Sequence, residues 1–477
     1  MRTTICASWL LILVITGLQC KKSGSDPGPR PDPPTPANAI AVWETKGDKT
    51  SLLSRKDSIP FGVETGSAPR ITVNSGISYQ TMDGFGAALT GSSSYVINRN
   101  LSAAAREELL KQLFTKQGIG IDYLRITIGA SDFSTGNYTY HSSPGDTLMK
   151  EFSLEKDRED LIPLLKKILE INPQLQIMAS PWSAPAWMKT SNSLNGGQLK
   201  PEYYPAYARY LVQYIKSMKE EGIAINAITV QNEPLHSTAS YPSMLMYASG
   251  QRVFIGDFLG PMLEENNLRT KIIAYDHNWD RPDYGDSVLN YPAAARYIDG
   301  TAFHAYAGNV SAMKTLYDQH PEKALYFTEI SGGRWAPLFR DNLPWYLKNI
   351  IIGTTRNYSK NALFWNLALD ENDGPRNNGC SNCRGVVTVT STGSVIRNEE
   401  YYAIGHAGRF IMPGAKRIES NNLAADQIHN VAFLNPDGKK VLIVLNENSG
   451  NKAISVMAGS QQFSYTLAGN AVYTFVW

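Results

Sequence analysis

The 477-residue sequence is poor in the groups that nucleic-acid surfaces, metal centres and redox sites draw on. Lys and Arg number 45 against 43 Asp and Glu, a formal net charge of +2. Without a basic excess to cluster against phosphates, the electrostatic case for a nucleic-acid partner disappears. Histidine is scarce: the seven residues form no H-x-H or H-E-x-x-H pattern, so a metal-dependent hydrolase lacks its ligand set. Of four cysteines, Cys6 and Cys20 lie in the first twenty residues, and only Cys380 and Cys383 remain in the body. Their C-x-x-C spacing suits a redox motif or half of a zinc site. Zinc takes about four ligands, however, and no second pair exists. A redox role calls for a thioredoxin-like βαβ context, whereas in an oxidising compartment a short loop-closing disulfide is expected. No G-x-G-x-x-G follows the first strand, since Gly84-Phe85-Gly86-Ala87 lacks the third glycine and the helix it should open. Neither a metal nor a cofactor is expected. What is plentiful is apolar: 43% hydrophobic and 10% aromatic residues, with 9 Trp and 25 Tyr, are far from a disordered composition and allow a large core. Most of those rings are expected to fill that core, although such faces also stack on sugars.

Residues 1–20 read as an export leader, with Arg2 ahead of the apolar run Trp9 to Val14. That run is too short to span a bilayer. Cys20 precedes Lys21-Lys22-Ser23-Gly24-Ser25 and the Pro-rich stretch Pro27 to Pro36, an extended solvated spacer. This resembles a bacterial lipoprotein leader, which implies a cell-surface or periplasmic protein anchored at Cys20, with plain secretion as the alternative.

From Thr81 onward, short apolar runs alternate with amphipathic helical stretches, the pattern of a parallel α/β fold. Strands are expected at Met82 to Leu89, Tyr123 to Ile128, Leu175 to Ser180, Ala227 to Val230, Ile272 to Tyr275, Gly300 to His304, Ala324 to Thr328 and Ala362 to Trp365. Helices are expected at Ala103 to Phe114, Asp157 to Leu169, Glu202 to Lys219, Tyr247 to Asn266, Pro292 to Tyr297 and Trp345 to Thr354. Eight strands with intervening helices fit a (β/α)₈ barrel. The last seventy residues carry β runs at Val431 to Leu434, Lys440 to Asn446, Ala453 to Ala458 and Ala471 to Trp477, split by turn signals such as Asn435-Pro436-Asp437-Gly438. Ala39 to Val73 also reads as β. The expected organisation is a leader at 1–20, a spacer at 21–38, a barrel at 81–405, and one small all-β domain formed from both chain ends, 39–80 and 406–477.

In such a barrel the catalytic groups sit at the C-terminal ends of the strands. Glu233 ends the fourth in Ile228-Thr229-Val230-Gln231-Asn232-Glu233-Pro234, and Glu329 ends the seventh in Leu325-Tyr326-Phe327-Thr328-Glu329. Each follows an apolar run, and buried carboxylates are costly unless paired or used. Two carboxylates across one mouth suit glycosidic-bond cleavage, one as acid and then base, the other attacking the anomeric carbon. Asn232 is placed to hold a sugar 2-hydroxyl or the nucleophile. Rings gather at the same strand ends: Trp182 and Trp187, His304 and Tyr306, and Trp365. The segment Tyr275-Asp276-His277-Asn278-Trp279, at the fifth strand end, is a candidate lining for a leaving-group subsite.

Several motifs together carry a family resemblance: Asp83-Gly84-Phe85-Gly86-Ala87, Leu124-Arg125 with Ser131-Asp132-Phe133-Ser134, Ala179-Ser180-Pro181-Trp182, Asn232-Glu233-Pro234, His304-Ala305-Tyr306, Thr328-Glu329 and Trp365-Asn366-Leu367-Ala368-Leu369. From about Val42 to Trp477 the chain resembles glycoside hydrolase family 30, retaining (β/α)₈ enzymes with a side β domain that include glucosylceramidases and endo-β-1,6-glucanases. The resemblance implies Glu233 as acid/base, Glu329 as nucleophile and Arg125 as the residue ordering the nucleophile's surroundings. Asp132, Trp182, Asn232, His304, Tyr306 and Trp365 would hold the sugar at the cleaved bond. Gly91 and Ser92 stand where the glucosylceramidase branch usually has an acidic residue, and Asn378 to Val387 resembles the β-1,6-glucanase branch. A Cys380–Cys383 clamp would shape the wall of the site. The expected protein is a monomeric endo-β-1,6-glucanase taking β-glucan, with β-glucosidase or glucosylceramidase activity on a β-glucoside as alternative. A membrane is met only through the lipid anchor. A non-catalytic glycan-binding lipoprotein would need the rings but not both glutamates.

Overall fold

The computed structural model describes residues 35–36, 38–62 and 68–477. The leader, its Cys6 and Cys20, and most of the spacer lie outside the described residues. No described helix is long and apolar enough to cross a membrane.

Eight parallel strands form the barrel: β1 (Gly84–Leu89), β2 (Tyr123–Ile128), β3 (Gln176–Pro181), β4 (Ala227–Thr229), β5 (Lys271–Asn278), β6 (Ile298–His304), β7 (Ala324–Glu329) and β8 (Asn361–Phe364). They pair in sequence order, β8 also pairs with β1, and closure on β7 comes from Lys360 N–H to the Leu325 carbonyl (2.9 Å) and Phe327 N–H to Asn361 Oδ1 (2.8 Å). Alternation decides what each strand buries where. Tyr123, Met178, Ala227, Ile273, Ala302, Tyr326 and Leu363 fill one interior layer. Their neighbours, such as Leu124, Ile177, Ile228, Ile272, Phe303 and Phe327, face the helices. Both faces are dry, so the strands read as continuous apolar runs.

Helix bounds differ from expectation where polar groups and proline intervene. The helix expected from Asp157 begins at Leu161 (Leu161–Ile171), because the Asp157 carboxylate instead accepts the Tyr138 and Tyr140 hydroxyls (2.8 and 2.5 Å). Tyr247 to Asn266 becomes Ala248–Phe254, a π-helical turn Ile255–Leu259, and Gly260–Glu265. Pro261 has no N–H for the carbonyl four residues back, which widens that turn. Helices at Gly91–Asn100, Pro282–Leu289, Ser311–Gln319 and Glu399–Gly408 were not anticipated. The last is buried along its whole length, and the expected boundary at residue 405 cuts through it.

The side domain is one nine-stranded sheet built from both chain ends. Ala39–Lys46 pairs with Ala471–Val476, and Arg70–Thr81 lies between Lys416–Ser420 and Lys452–Ala458. Lys440–Asn446 shows why it stays on the barrel: Leu442 and Val444 enter the sheet's own core, whereas Val441, Ile443 and Leu445 join the barrel's.

Candidate active site

Above the interior apolar layer the inward positions turn polar. Two residues on from Tyr123 comes Arg125, and likewise Ser180 from Met178, Thr229 from Ala227, His304 from Ala302 and Thr328 from Tyr326. Strand β5 breaks this count. Its register shifts between Tyr275 and His277, both Tyr275 and Asp276 have positive φ (69° and 72°), and the bulge sends Tyr275 outward and Asp276 inward. Asp276 thereby lies fully buried beneath the mouth, not in a leaving-group wall.

Arg125, wholly buried, organises the floor. Its guanidinium donates to Glu329 (2.5 Å), Asn232 Oδ1 (2.7 Å), Asp276 (2.7 Å) and Ser180 Oγ (3.1 Å), and it lies 5.0 and 5.6 Å from the Trp182 and Trp365 ring centres. Those two indoles stack at 5.0 Å. Asp276 also accepts the Thr229 and Thr328 hydroxyls (2.7 and 2.6 Å). Burial pushes its carboxyl up, but Arg125, His304 and Thr328 hold it well below the usual carboxylate range.

Glu233 stands just past β4 on a left-handed backbone (φ 43°), pinned by its N–H to the Asp276 carbonyl (2.9 Å). Such a conformation costs about 1 kcal/mol and persists where surroundings enforce it. Glu329 receives the Tyr306 hydroxyl (3.0 Å) beside Arg125. A carboxylate oxygen of each glutamate and a ring nitrogen of His304 lie within 4.8 Å of one another. The Glu329 oxygen nearest His304 is Oε1 (4.0 Å), which takes the Tyr306 hydroxyl, whereas Arg125 holds Oε2. His304 bridges Glu233 (Nδ1, 3.0 Å) and Asp276 (Nε2, 3.1 Å). With both nitrogens taken, His304 acts on Glu233 instead of on a sugar. Burial alone would push His304 down, but the Glu329 charge and the bonds to Asp276 and Glu233 lift it to about 9. Burial likewise raises Glu329 against His304 and Arg125, whereas in Glu233 the His304 bond and charge outweigh burial and lower it.

Asp132 closes the other side. Its Oδ1 is buried without a hydrogen-bond partner among the described residues, and burial, then Glu329 and Glu233, push its carboxyl well up. Trp187 instead packs in the main core against Tyr203 (5.0 Å) and His141 (5.8 Å). Cys380 and Cys383 are disulfide-bonded, with Cα atoms 5.5 Å apart. Cys383 packs in the cluster of Phe133, Trp182 and Trp365, and Gly379 abuts Asp132. Sequence reasoning, which takes Asp276 for part of a subsite lining, passes over Thr90 altogether; it caps Gly91–Asn100 (Ser93 N–H, 3.1 Å) and donates to Asn366 Oδ1 (2.9 Å). The signal for it was a threonine ahead of Gly91-Ser92-Ser93.

Residues 82–411 match the glycosyl hydrolase family 30 TIM-barrel domain, and 414–475 its β-sandwich domain. The chain belongs to glycosyl hydrolase family 30. This family 30 enzyme is 33% identical over 425 residues to endo-1,6-β-D-glucanase neg1 of Aspergillus fumigatus, covering 83% of the chain and 85% of that protein. It is 31% identical over 396 residues to a putative glucosylceramidase 2 of Caenorhabditis elegans, covering 79% and 76%. A solved endo-β1,6-glucanase superposes with TM-score 0.87 at 36% identity, over 92% of this chain and 99% of that one.

Proposed function

We propose that this family 30 hydrolase is an endo-β-1,6-glucanase working by double displacement, with Glu329 as nucleophile and Glu233 as acid/base. The observation that carries the mechanism is the approach of the two carboxylates to within 4.8 Å. Double displacement needs carboxyl groups about 5 Å apart, against roughly 6.5–9.5 Å when water must fit between them. The linkage rests on the likeness to the Aspergillus and solved glucanases, at 33% and 36% identity.

The hydrogen bonds at His304 specify where the catalytic proton waits. Asp276, ionised and surrounded by donors, can only accept, so His304 Nε2 carries a hydrogen. The Nδ1 to Glu233 contact then holds one further proton, on ring or carboxyl. In the empty site it rests on the ring, as the raised His304 and lowered Glu233 indicate. A leaving-group oxygen against Glu233 draws it across. Glu329 attacks C1, the glycosidic C–O bond breaks, and the proton goes to the departing oxygen. Glu329 is now an uncharged ester. Glu233 takes a proton from water, the hydroxide oxygen bonds C1, and the ester opens to restore the carboxylate. Asp132, with an unsatisfied buried oxygen, and the Trp182–Trp365 stack offer a sugar its hydroxyl partner and its flat face.

The leader sequence supports an exported enzyme tethered at Cys20, meeting glycan outside the cell. The test is reducing-end release from pustulan beside laminarin, xylan and an aryl β-glucoside. Mixed-length products from pustulan alone are expected, and Glu233→Gln and Glu329→Gln each should lose at least about 10³-fold in kcat on it with the fold intact. Near-normal turnover in either variant sinks the assignment. Release of glucose from the aryl glucoside only would favour the β-glucosidase or glucosylceramidase reading, to which the nematode relative is similar.

A further inference from the structure

The loop that follows the nucleophile carries an exposed indole whose position the chemistry above leaves unused. Gly332 and Gly333, just after Glu329, pair antiparallel with Arg384 and Cys383. Residues directly opposite in such a ladder point to the same face. On one face, Arg384 binds Glu400 (3.0 Å), and a Cβ added to Gly332 would run into that same carboxylate. On the other face, Cys383 packs with Trp182 and Trp365, and a Cβ added to Gly333 would run into the ring of Trp335. Trp335 therefore lies flat on the glycine backbone, on the ribbon face that also carries the disulfide against the two subsite tryptophans. Trp182 and Trp365 are each 3% exposed, on the floor of the site, whereas Trp335 is 54% exposed to solvent.

The loop is held rather than free. Arg334 N–H donates to the Asn382 carbonyl (2.8 Å), its Nη2 to the Glu371 carbonyl (2.7 Å), and its Nε pairs with Asp373 (2.7 Å). A large ring left in water on a fixed backbone, on the ribbon that backs a binding site, marks a ligand surface more than a packing remnant.

We propose that Trp335 is a stacking platform for a glucosyl unit of the glycan at least one residue away from the cleaved bond, and that Gly333 is glycine so that the ring can lie down there. The proposal rests on the endo-β-1,6-glucanase reading and adds a second point of grip for a chain longer than one sugar. The platform grips substrate and transition state alike, so its loss appears in KM for long chains more than in kcat.

The experiment compares the wild type with Trp335→Ala, Gly333→Ala and the double variant on pustulan and on an aryl β-glucoside. Expected is a rise of about tenfold in KM for pustulan relative to that for the aryl glucoside, with a shift in product lengths. Trp335→Phe should recover part of it. Gly333→Ala, by lifting the ring, should give the same defect, and the double variant no more than either alone. A wild type that cleaves pustulan while Trp335→Ala keeps its KM and product pattern overturns the platform. Additive losses in the double variant overturn the role given to Gly333. A wild type inactive on pustulan overturns the reading beneath, and with it the ligand assigned to Trp335.

Discussion

Two wholly buried histidines, one in the barrel mouth and one in the seam between barrel and side domain, show what burial alone decides and what it does not. His304 sits between Glu233 and Asp276, and is lifted to about 9 against a burial that would lower it. His406, in helix Glu399–Gly408, sits between the Thr45 and Thr474 hydroxyls (2.8 and 2.9 Å), and is lowered to about 3 by burial and then Arg409. Desolvation acts on both in the same direction, so the partners decide the outcome. Carboxylates make the first a proton holder; neutral hydroxyls make the second a neutral pin joining strands from the two chain ends to a barrel helix.

The largest effect comes from taking the proton holder away. His304→Asn should reduce kcat by about 10²- to 10⁴-fold, the usual weight of a well-placed proton donor. Its diagnostic sign is the pH profile of kcat/KM, which reports the free enzyme. Activity needs Glu329 ionised, so it fails as pH falls through a Glu329 value that burial has raised. It also needs the shared proton, so it fails as pH rises through the His304 value, which Glu329, Asp276 and Glu233 lift to about 9. In His304→Asn the proton has only Glu233 to rest on, and the basic limb should move towards acid. An unmoved basic limb breaks the comparison, because His304 would then be as structural as His406.

The seam should answer with stability and not with rate. His406→Ala removes one bond from each of two buried hydroxyls, Thr474 keeping its bond to the residue 406 carbonyl and Thr45 the one it accepts from Leu53 N–H, and opens a cavity; it should lower stability by about 1–3 kcal/mol, with kcat and KM unchanged. The pH dependence carries a definite sign. Folded, His406 stays neutral down to about pH 3; unfolded, it takes a proton near its ordinary 6.5. Its contribution is therefore present above pH 6.5 and lost as pH falls towards 3. For His304 the direction reverses, its contribution being present below 6.5 and lost as pH rises through about 9. Urea midpoints of wild type and His406→Ala from pH 3 to 7 check the first slope, which should be shallower in the variant. Equal slopes would remove His406 from the account.

The same pair of regions separates what a sequence discloses from what it hides. All eight barrel strands were legible because both their faces are dry, and Glu233 and Glu329 because each is a charge at the end of such a run. The place of Asp276 beneath the mouth was hidden by one bulge: alternation counted from Ile273 turns Tyr275 inward, and only the positive φ values at Tyr275 and Asp276 reverse it. His304 was visible as a residue but not as a bridge, since its partners come from the loop after β4 and from strand β5. Helix Glu399–Gly408 was hidden because it is apolar or paired on every side, leaving no amphipathic period to read. Trp335 drew no notice because aromatic abundance says nothing about which ring stays in water.

The smallest effect sharpens the contrast at the disulfide, which closes only four residues and so removes little entropy from the unfolded chain. A bond of that kind in the seam would be a staple; here it backs the wall of the mouth. Cys383 packs with Trp182 and Trp365, and Gly379 abuts Asp132, so losing the bridge should loosen the sugar-facing side of the site and leave the Glu233–His304 proton in place. Replacing both cysteines by serine should leave Tm and the pH limbs of kcat/KM nearly unchanged while raising KM for pustulan by a small factor. Dithiothreitol on the wild type should do the same. A large drop in Tm would make the bridge a staple after all, and an unchanged KM would detach it from the wall.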